Sequence, residues 1–144
     1  MFKHLSILLV FCPFLSWGNC EKIEGLWEGY QFHYGLHASH ILEIDSECEG
    51  FYAYTLGEHE AEVFVIPVRI NHELEANLPY FALAHQHEDF SQQVLLVPTP
   101  GQVISVITSN RYGGENIYAL SWKLTKVRTV PRNTRLYEFA KNAL

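Results

Sequence analysis

Residues 25–34 of the chain, Gly-Leu-Trp-Glu-Gly-Tyr-Gln-Phe-His-Tyr, alternate strictly between two faces. Leu26 and Tyr30 fall on one face, and Trp27 and Gly29 fall on the other. Because side chains of a β-strand point alternately to opposite sides, this period of two residues predicts a strand. Glycine weakens the interior of a strand, so the two glycines predict a bend or a closely packed neighbour, and we expect Trp27 to be that neighbour.

The same alternation recurs at short spacing along the chain, interrupted by turn signals such as Pro98-Thr99-Pro100-Gly101. The run 61–70 is apolar on both faces, which favours a central position in the sheet, but Pro67 cannot donate a hydrogen bond and implies a bulge or an unpaired side. Short strands without intervening helices predict an all-β fold of about eight antiparallel strands, a barrel or a barrel-like sandwich. The predicted strands are residues 25–34, 40–45, 51–56, 61–70, 80–87, 92–97, 102–108 and 116–126.

A short helix is predicted after Pro131, where the apolar spacing changes. Asn133 or Thr134 can cap its first turn. We expect this helix to pack on the outer surface of the sheet or to plug one end of it. Its apolar stripe is predicted to contain Leu136, Phe139, Ala140 and Ala143.

The first 18 residues have the pattern of a secretory signal peptide. Lys3 and His4 precede the apolar run 5–14, and Ser16 and Gly18 supply the small residues that cleavage requires. A transmembrane helix needs about 20 apolar residues, so we expect no stable membrane anchor. The sequence contains no linker or internal repeat, and residues 19–144 are therefore predicted to form a single domain that is periplasmic or secreted.

The cysteines support the same compartment. Removal of the signal peptide takes Cys12 with it and leaves Cys20 and Cys48, an even number that predicts one disulfide in an oxidising environment. Such a bond stabilises a loop of this size by roughly 3 to 4 kcal/mol in the chain-entropy description. A lipoprotein interpretation, with acylation of Cys20, fits poorly because Trp17 and Asn19 stand where small residues are required.

Charge is distributed unevenly along the chain, whose formal net charge is -6. Acidic residues dominate the region 21–75, whereas basic residues dominate 111–144. A protein that binds nucleic acid needs a basic face, so we expect no nucleic acid among its partners. The acidic region 43–62 instead suggests a periplasmic protein partner, as in an immunity or inhibitor protein, although such charges also keep strand edges soluble.

The pair Gly25-x-Trp27, the short strands, a basic residue at Arg128 and a terminal helix resemble the small barrels of the lipocalin and calycin families. The resemblance implies an antiparallel barrel around a ligand cavity, with Trp27 packed near Arg128. A barrel of this size can also be filled completely by side chains. We expect the protein to carry or sense a small, partly apolar ligand between its inner faces, at Trp27, Tyr54, Phe81, Leu120 and Trp122.

Two histidines form the third candidate site. His85 and His87 are separated by one residue on a predicted strand, so both imidazoles project from one face and can bind zinc or copper if another strand supplies a third ligand. No nucleophile motif or phosphate-binding loop is present in the sequence. The sequence therefore predicts a protein that acts by binding and not by catalysis.

Overall fold

The computed structural model describes residues 19–33, 36–56, 62–70, 80–86, 90–111 and 117–144. The predicted signal peptide lies outside this part of the chain. A short 3₁₀ helix, Asn19–Lys22, precedes the first strand, and α1 is the helix Thr134–Ala143. The strands are β1 (Gly25–His33), β2 (Leu36–Ile44), β3 (Glu49–Leu56), β4 (Glu62–Arg69), β5 (Phe81–Gln86), β6 (Phe90–Thr99), β7 (Gln102–Arg111) and β8 (Ile117–Val127).

These eight strands form a nearly closed antiparallel barrel in the order β4-β3-β2-β1-β8-β7-β6-β5. The predicted fold class is confirmed. Among the described residues, the ladder between β1 and β8 contains three residue pairs, from Leu26–Val127 to Glu28–Thr125. No ladder joins β4 to β5 within the described residues. The barrel therefore consists of two meanders, β1–β4 and β5–β8, which the backbone joins over a short distance only.

Strand β4 lies at the open seam and not in the middle of the sheet, so its predicted position was wrong. Both of its faces are apolar, because Val65 packs on the outer side against residues covered by α1, while Ile66 and Val68 are buried inside the barrel. Pro67 pairs with Phe51 on the β3 side. An edge strand has one side without a ladder, and this accommodates the missing donor of the proline as the sequence predicted.

The barrel interior is filled by the inward-facing residues of all eight strands. Among the residues whose side chains the structure describes, the inward-facing ones are even-numbered on β2, β3, β4 and β6 and on β8 at Trp122 and Leu124, and odd-numbered on β1, β5 and β7. This alternation buries the apolar set in one core. Its members are Trp27, Ala38, Leu42, Ile44, Tyr52, Tyr54, Ile66, Val68, Phe81, Val94, Leu96, Val103, Ile107, Trp122 and Leu124.

One end of the barrel is closed by the N-terminal turn. Cys20 in this turn forms the predicted disulfide with Cys48, and their Cα atoms lie 5.8 Å apart. The indole Nε1 of Trp27 donates a hydrogen bond to the carbonyl of Ile23 at 2.7 Å, which anchors the turn against β1. The ring of Trp27 is 4% exposed and lies beneath the ammonium of Lys126, 5.3 Å from its centroid.

The cation over Trp27 is thus a residue of β8 itself. The resemblance to lipocalins placed Arg128 there, but Arg128 follows the end of β8 and its side chain is exposed. Lys126 takes this position because it is the cross-strand partner of Trp27 and therefore projects from the same face.

Gly29 is required by a close approach between β1 and β8. A Cβ atom at this residue would lie 2.7 Å from both Cδ2 of Leu124 and the carbonyl oxygen of Lys123. The sequence predicted a close neighbour here, which is confirmed, but it named Trp27, whereas the neighbours are the side chain of Leu124 and the backbone of Lys123. Both neighbours come from the other meander.

Helix α1 packs outside the barrel, over β2, β3 and β4. Asn133 caps it, since its Oδ1 accepts a hydrogen bond from the backbone N–H of Leu136 at 3.0 Å. Leu136 and Ala140 are buried against a second, outer apolar cluster on these strands. Phe139 and Ala143 were predicted in this stripe, but Phe139 is 53% exposed and Ala143 is exposed as well. The half-buried Tyr137 takes part in the contact instead.

The packing of α1 predicts different effects for Leu136 and Phe139, which the sequence assigned to the same apolar stripe. We expect Leu136→Ala to lower the free energy of unfolding by about 3 kcal/mol, because Leu136 is 3% exposed and its loss leaves a cavity under the helix. Phe139→Ala should change it by less than about 0.5 kcal/mol, because that ring faces solvent. Urea unfolding measures both. A larger loss for Phe139→Ala would mean that the helix is rotated about its axis.

Candidate functional site

A cluster of polar and aromatic side chains lies at the centre of the barrel, around His40 of β2. His40 is fully buried. Its ring is 4.2 Å from that of Trp122, measured between centroids, and it stacks on Tyr54 at 5.7 Å with an interplanar angle of 8°. Since Trp122 belongs to β8 and Tyr54 to β3, the imidazole lies between the two meanders.

A chain of hydrogen bonds crosses the interior from this histidine. The Nδ1 atom of His40 lies 2.6 Å from the hydroxyl of Tyr52, and that hydroxyl lies 2.7 Å from Oγ of Ser105 on β7. A phenol is a better proton donor than a neutral imidazole, and an imidazole nitrogen is the better acceptor. We infer that Tyr52 donates to Nδ1, that Ser105 donates to Tyr52, and that the ring hydrogen of His40 is on Nε2.

The second ring nitrogen has no partner in the described part of the chain. Nε2 of His40 is buried without a hydrogen bond there. Buried donors are nearly always hydrogen-bonded in folded proteins, so this nitrogen is an exception within the core.

Burial keeps the whole cluster uncharged. It lowers the pKa of His40 to about 3, since an imidazolium would lose its hydration in the core. Burial likewise raises the pKa of Tyr52 and that of Tyr54 above the ordinary value of a phenol, because a phenolate is also poorly solvated there. Neutral hydrogen-bonding groups are therefore available at physiological pH, and a strong general base is not.

A second hydrogen bond crosses the barrel two residues further along β3. The hydroxyl of Tyr54 donates to Oε1 of Gln92 on β6. The ring of Tyr54 also stacks on Phe64 of β4, with 4.9 Å between the centroids. The two tyrosines thus connect β3 to two strands of the opposite meander.

A cleft of about 680 Å³ lies outside the barrel, on the opposite side of the wall from His40. Its floor is the outer surface of β8, β1 and β2, and its end wall is the segment that leads into α1. The volume is in the range of small-molecule sites. The lining residues are Glu28, Gly29, Tyr30, Ser39, His40, Ile41, Lys123, Thr125, Arg132 and Asn133; the side chain of His40 points inward, so this residue contributes backbone to the floor.

The cleft combines apolar and charged surface. Tyr30 is 59% exposed, although it belongs to a strand, and Ile41 on β2, opposite Glu28, is buried. Glu28 holds the end wall in place, since its Oε2 accepts a hydrogen bond from the backbone N–H of Arg132 at 2.6 Å. A molecule seated in the cleft would meet a ring, hydroxyls and charged groups together.

Four of the five predicted ligand contacts are buried on the inner face. Tyr54 and Trp122 both lie against His40, whereas Trp27 is at the closed end and Phe81 is on β5. The side chain of Leu120 lies outside the described residues. None of the four described ones lines the outer cleft. Ligand binding between the inner faces stays a prediction.

Sequence reasoning missed most of the polar residues of the interior. His40, Ser105 and Gln92 stand at inward positions of otherwise apolar strands, and that alternation was the only signal available. The outer cleft gave no signal in the sequence, because its residues come from β1, β2, β8 and the segment before α1.

The predicted metal site cannot be placed. His85 is opposite Gln92 in the β5–β6 ladder, but its side chain and the whole of His87 lie outside the described residues. Within the described ranges, no group of three histidine, cysteine, aspartate or glutamate residues is arranged to hold a metal ion. Zinc or copper binding stays a prediction.

The acidic region 43–62 is divided between the two ends of the barrel. Asp45 and Glu47 lie in the turn between β2 and β3, where Oδ1 of Asp45 accepts a hydrogen bond from the backbone N–H of Glu47. Glu62 begins β4 opposite Leu56, at the other end of β3. The described acids therefore do not form one continuous surface, and a protein partner for them stays a prediction.

No family model, no curated protein and no solved structure matches this chain. The likeness to lipocalins is one of barrel architecture. Among the described residues, no helix has the length and apolarity needed to cross a membrane.

The bond chain through Tyr52 gives a stability prediction. Tyr52→Phe should lower the free energy of unfolding by about 1 to 3 kcal/mol, because Nδ1 of His40 and the hydroxyl of Ser105 both lose their buried partner. Tyr80→Phe is the matched control, since Tyr80 is 37% exposed. Urea unfolding measures the free energy of unfolding of both variants. Equal losses would show that the hydrogen bonds of the Tyr52 hydroxyl contribute nothing to stability.

The buried imidazole gives a pH prediction. The pKa of His40 is about 3 in the folded protein and about 6.5 in an unfolded chain, so the unfolded state binds the proton more tightly. Its contribution to stability is complete above about pH 6.5 and decreases by roughly 1.4 kcal/mol per pH unit as the pH falls towards 3. NMR titration of the His40 ring should find it neutral at about pH 5. Titration near pH 6.5 would contradict the burial.

Proposed function

We propose that this protein is an exported binding protein that holds a small, partly apolar molecule in the outer cleft. The observation that carries the proposal is the cleft itself, with its volume of about 680 Å³ and its mixture of ring, hydroxyl and charged groups. Sites for small molecules are concave, and a few polar groups in them orient an otherwise apolar ligand.

The cleft is a better place for the ligand than the inner faces predicted from the sequence. Tyr54 and Trp122 are already packed in the core, where the Tyr54 hydroxyl bonds to Gln92 and both rings contact His40. A ligand between them would have to displace these contacts, whereas the cleft can be entered with the core intact.

Two features support export. The apolar run 5–14 behind Lys3 has the composition of a signal peptide, and the bond between Cys20 and Cys48 is of the kind that persists in an oxidising compartment. The barrel supplies a rigid support for the cleft. We infer the carrier or sensor role from the cleft itself, because the ligand cavity that the resemblance to lipocalins implies lies inside the barrel and not on its outer wall.

Protein-observed ¹⁵N NMR with a library of small aromatic acids, alcohols and amides tests this function. We expect compounds that bind with submillimolar affinity to shift the backbone amides of Tyr30, Lys123 and Thr125, which line the cleft on both of its adjoining strands. Tyr30→Ala should weaken these compounds about tenfold, because a ring is lost from the ligand contact.

Tyr80→Ala is the control, since it removes an exposed ring that is not part of the cleft. Shifts confined to residues of the core, equal effects of the two substitutions, or the lack of any binding compound would each refute the cleft as the ligand site.

A further inference from the structure

The charges around the outer cleft are only partly compensated. The carboxylate of Glu28 accepts a hydrogen bond from the backbone N–H of Arg132, and its Oε1 lies 3.7 Å from Nε of the same arginine. Its negative charge is thereby engaged at the end wall. Lys123, on β8, lines the cleft with its exposed side chain, and no carboxylate of the described residues lies within 4.0 Å of its ammonium.

This arrangement leaves an excess of one positive charge. Three charged residues line the cleft in the described part of the chain; the charges of Glu28 and Arg132 oppose each other, and that of Lys123 remains. The partial positive charge at the beginning of α1, next to the end wall, has the same sign. An organic cation would find the carboxylate of Glu28 already paired, whereas one carboxylate on the ligand would match the single uncompensated positive charge.

The cleft also has an apolar surface next to its charged groups, which the ring of Tyr30 provides. The exposed ring of Tyr30 follows Glu28 by two residues on the outer face of β1, so it lies beside the charged end of the cleft. A flat, apolar group can pack on this ring while a charged group attached to it reaches Lys123.

Resting on the proposed function, we propose that the ligand is a small organic acid with one carboxylate. Its carboxylate binds Lys123, with the exposed guanidinium of Arg132 as a second contact, and its apolar body packs on Tyr30. Hydrogen bonds between an ammonium and a carboxylate are stronger than neutral ones, so charge decides which ligand the cleft prefers.

A matched pair of probes tests this inference. The anion 2-naphthoate and the neutral 2-naphthalenemethanol have the same ring system and differ in the polar group. We expect 2-naphthoate to bind the wild-type protein about tenfold more tightly than the alcohol, and to lose this advantage in Lys123→Gln. The affinity for the alcohol should not change in that variant. Dissociation constants come from titrations followed by the amide shifts of the cleft.

Arg128→Gln is the control variant, because it removes an exposed cation that does not line the cleft. It should leave the preference for the anion in place, and both substitutions should leave the melting temperature unchanged. Equal binding of the two probes to the wild type would overturn the inference and leave the proposed function standing. An unchanged preference in Lys123→Gln would also overturn it. Failure of both probes to bind would refute the proposed function together with it.

Discussion

The hydrogen bonds that Tyr52 and Tyr54 make across the interior fix the alignment of the two halves of the barrel, which share one apolar core. The backbone joins the meanders β1–β4 and β5–β8 by three residue pairs between β1 and β8, and by no ladder between the described parts of β4 and β5. Side chains supply the missing connections, from β3 to Ser105 on β7 and to Gln92 on β6. Apolar packing alone does not specify how two curved sheets are aligned, whereas a buried hydroxyl is satisfied only where its partner lies opposite.

The closed end of the barrel uses a different set of constraints. The disulfide between Cys20 and Cys48 ties the first residues of the domain to the turn between β2 and β3, and the Trp27 indole bonds to the carbonyl of Ile23. These contacts cover the core where the strands end. The ammonium of Lys126 lies over the face of the indole from the side of β8, so the β1–β8 ladder and the closed end stabilise each other.

The outer cleft follows from where α1 begins. The helix covers β2, β3 and β4 and buries Leu136 and Ala140 there, so β8 and β1 remain uncovered beside it. The contact between Glu28 and Arg132 fixes the approach of the chain to the helix and makes the end wall of the cleft. The cleft is therefore part of the outer packing of the barrel, and its occupancy does not require the interior bonds to open.

Local patterns in the sequence predicted much of the architecture, because they depend on neighbours in the chain. Alternation identified the strands and the residues that share a face, the two capping candidates Asn133 and Thr134 located the beginning of α1, and the cysteine count predicted the disulfide. Of the interior cluster, Tyr54 and Trp122 were placed correctly on the inner face for the same reason. The ladder between β1 and β2 extends to the pair His33–Leu36, and β2 therefore begins earlier than the expected residue 40.

What the sequence by itself determined was the set of strands, the face on which each side chain lies and the residues able to pair by disulfide. The tertiary structure alone decided that β4 lies at the seam, that Lys126 and not Arg128 covers Trp27, and that His40 reaches Tyr52 and Trp122. It also assembled the cleft from three strands and the start of α1. The reason is physical: strand formation follows a period of two residues along the chain, whereas these contacts depend on register and on the order of strands around the barrel, which no local pattern encodes.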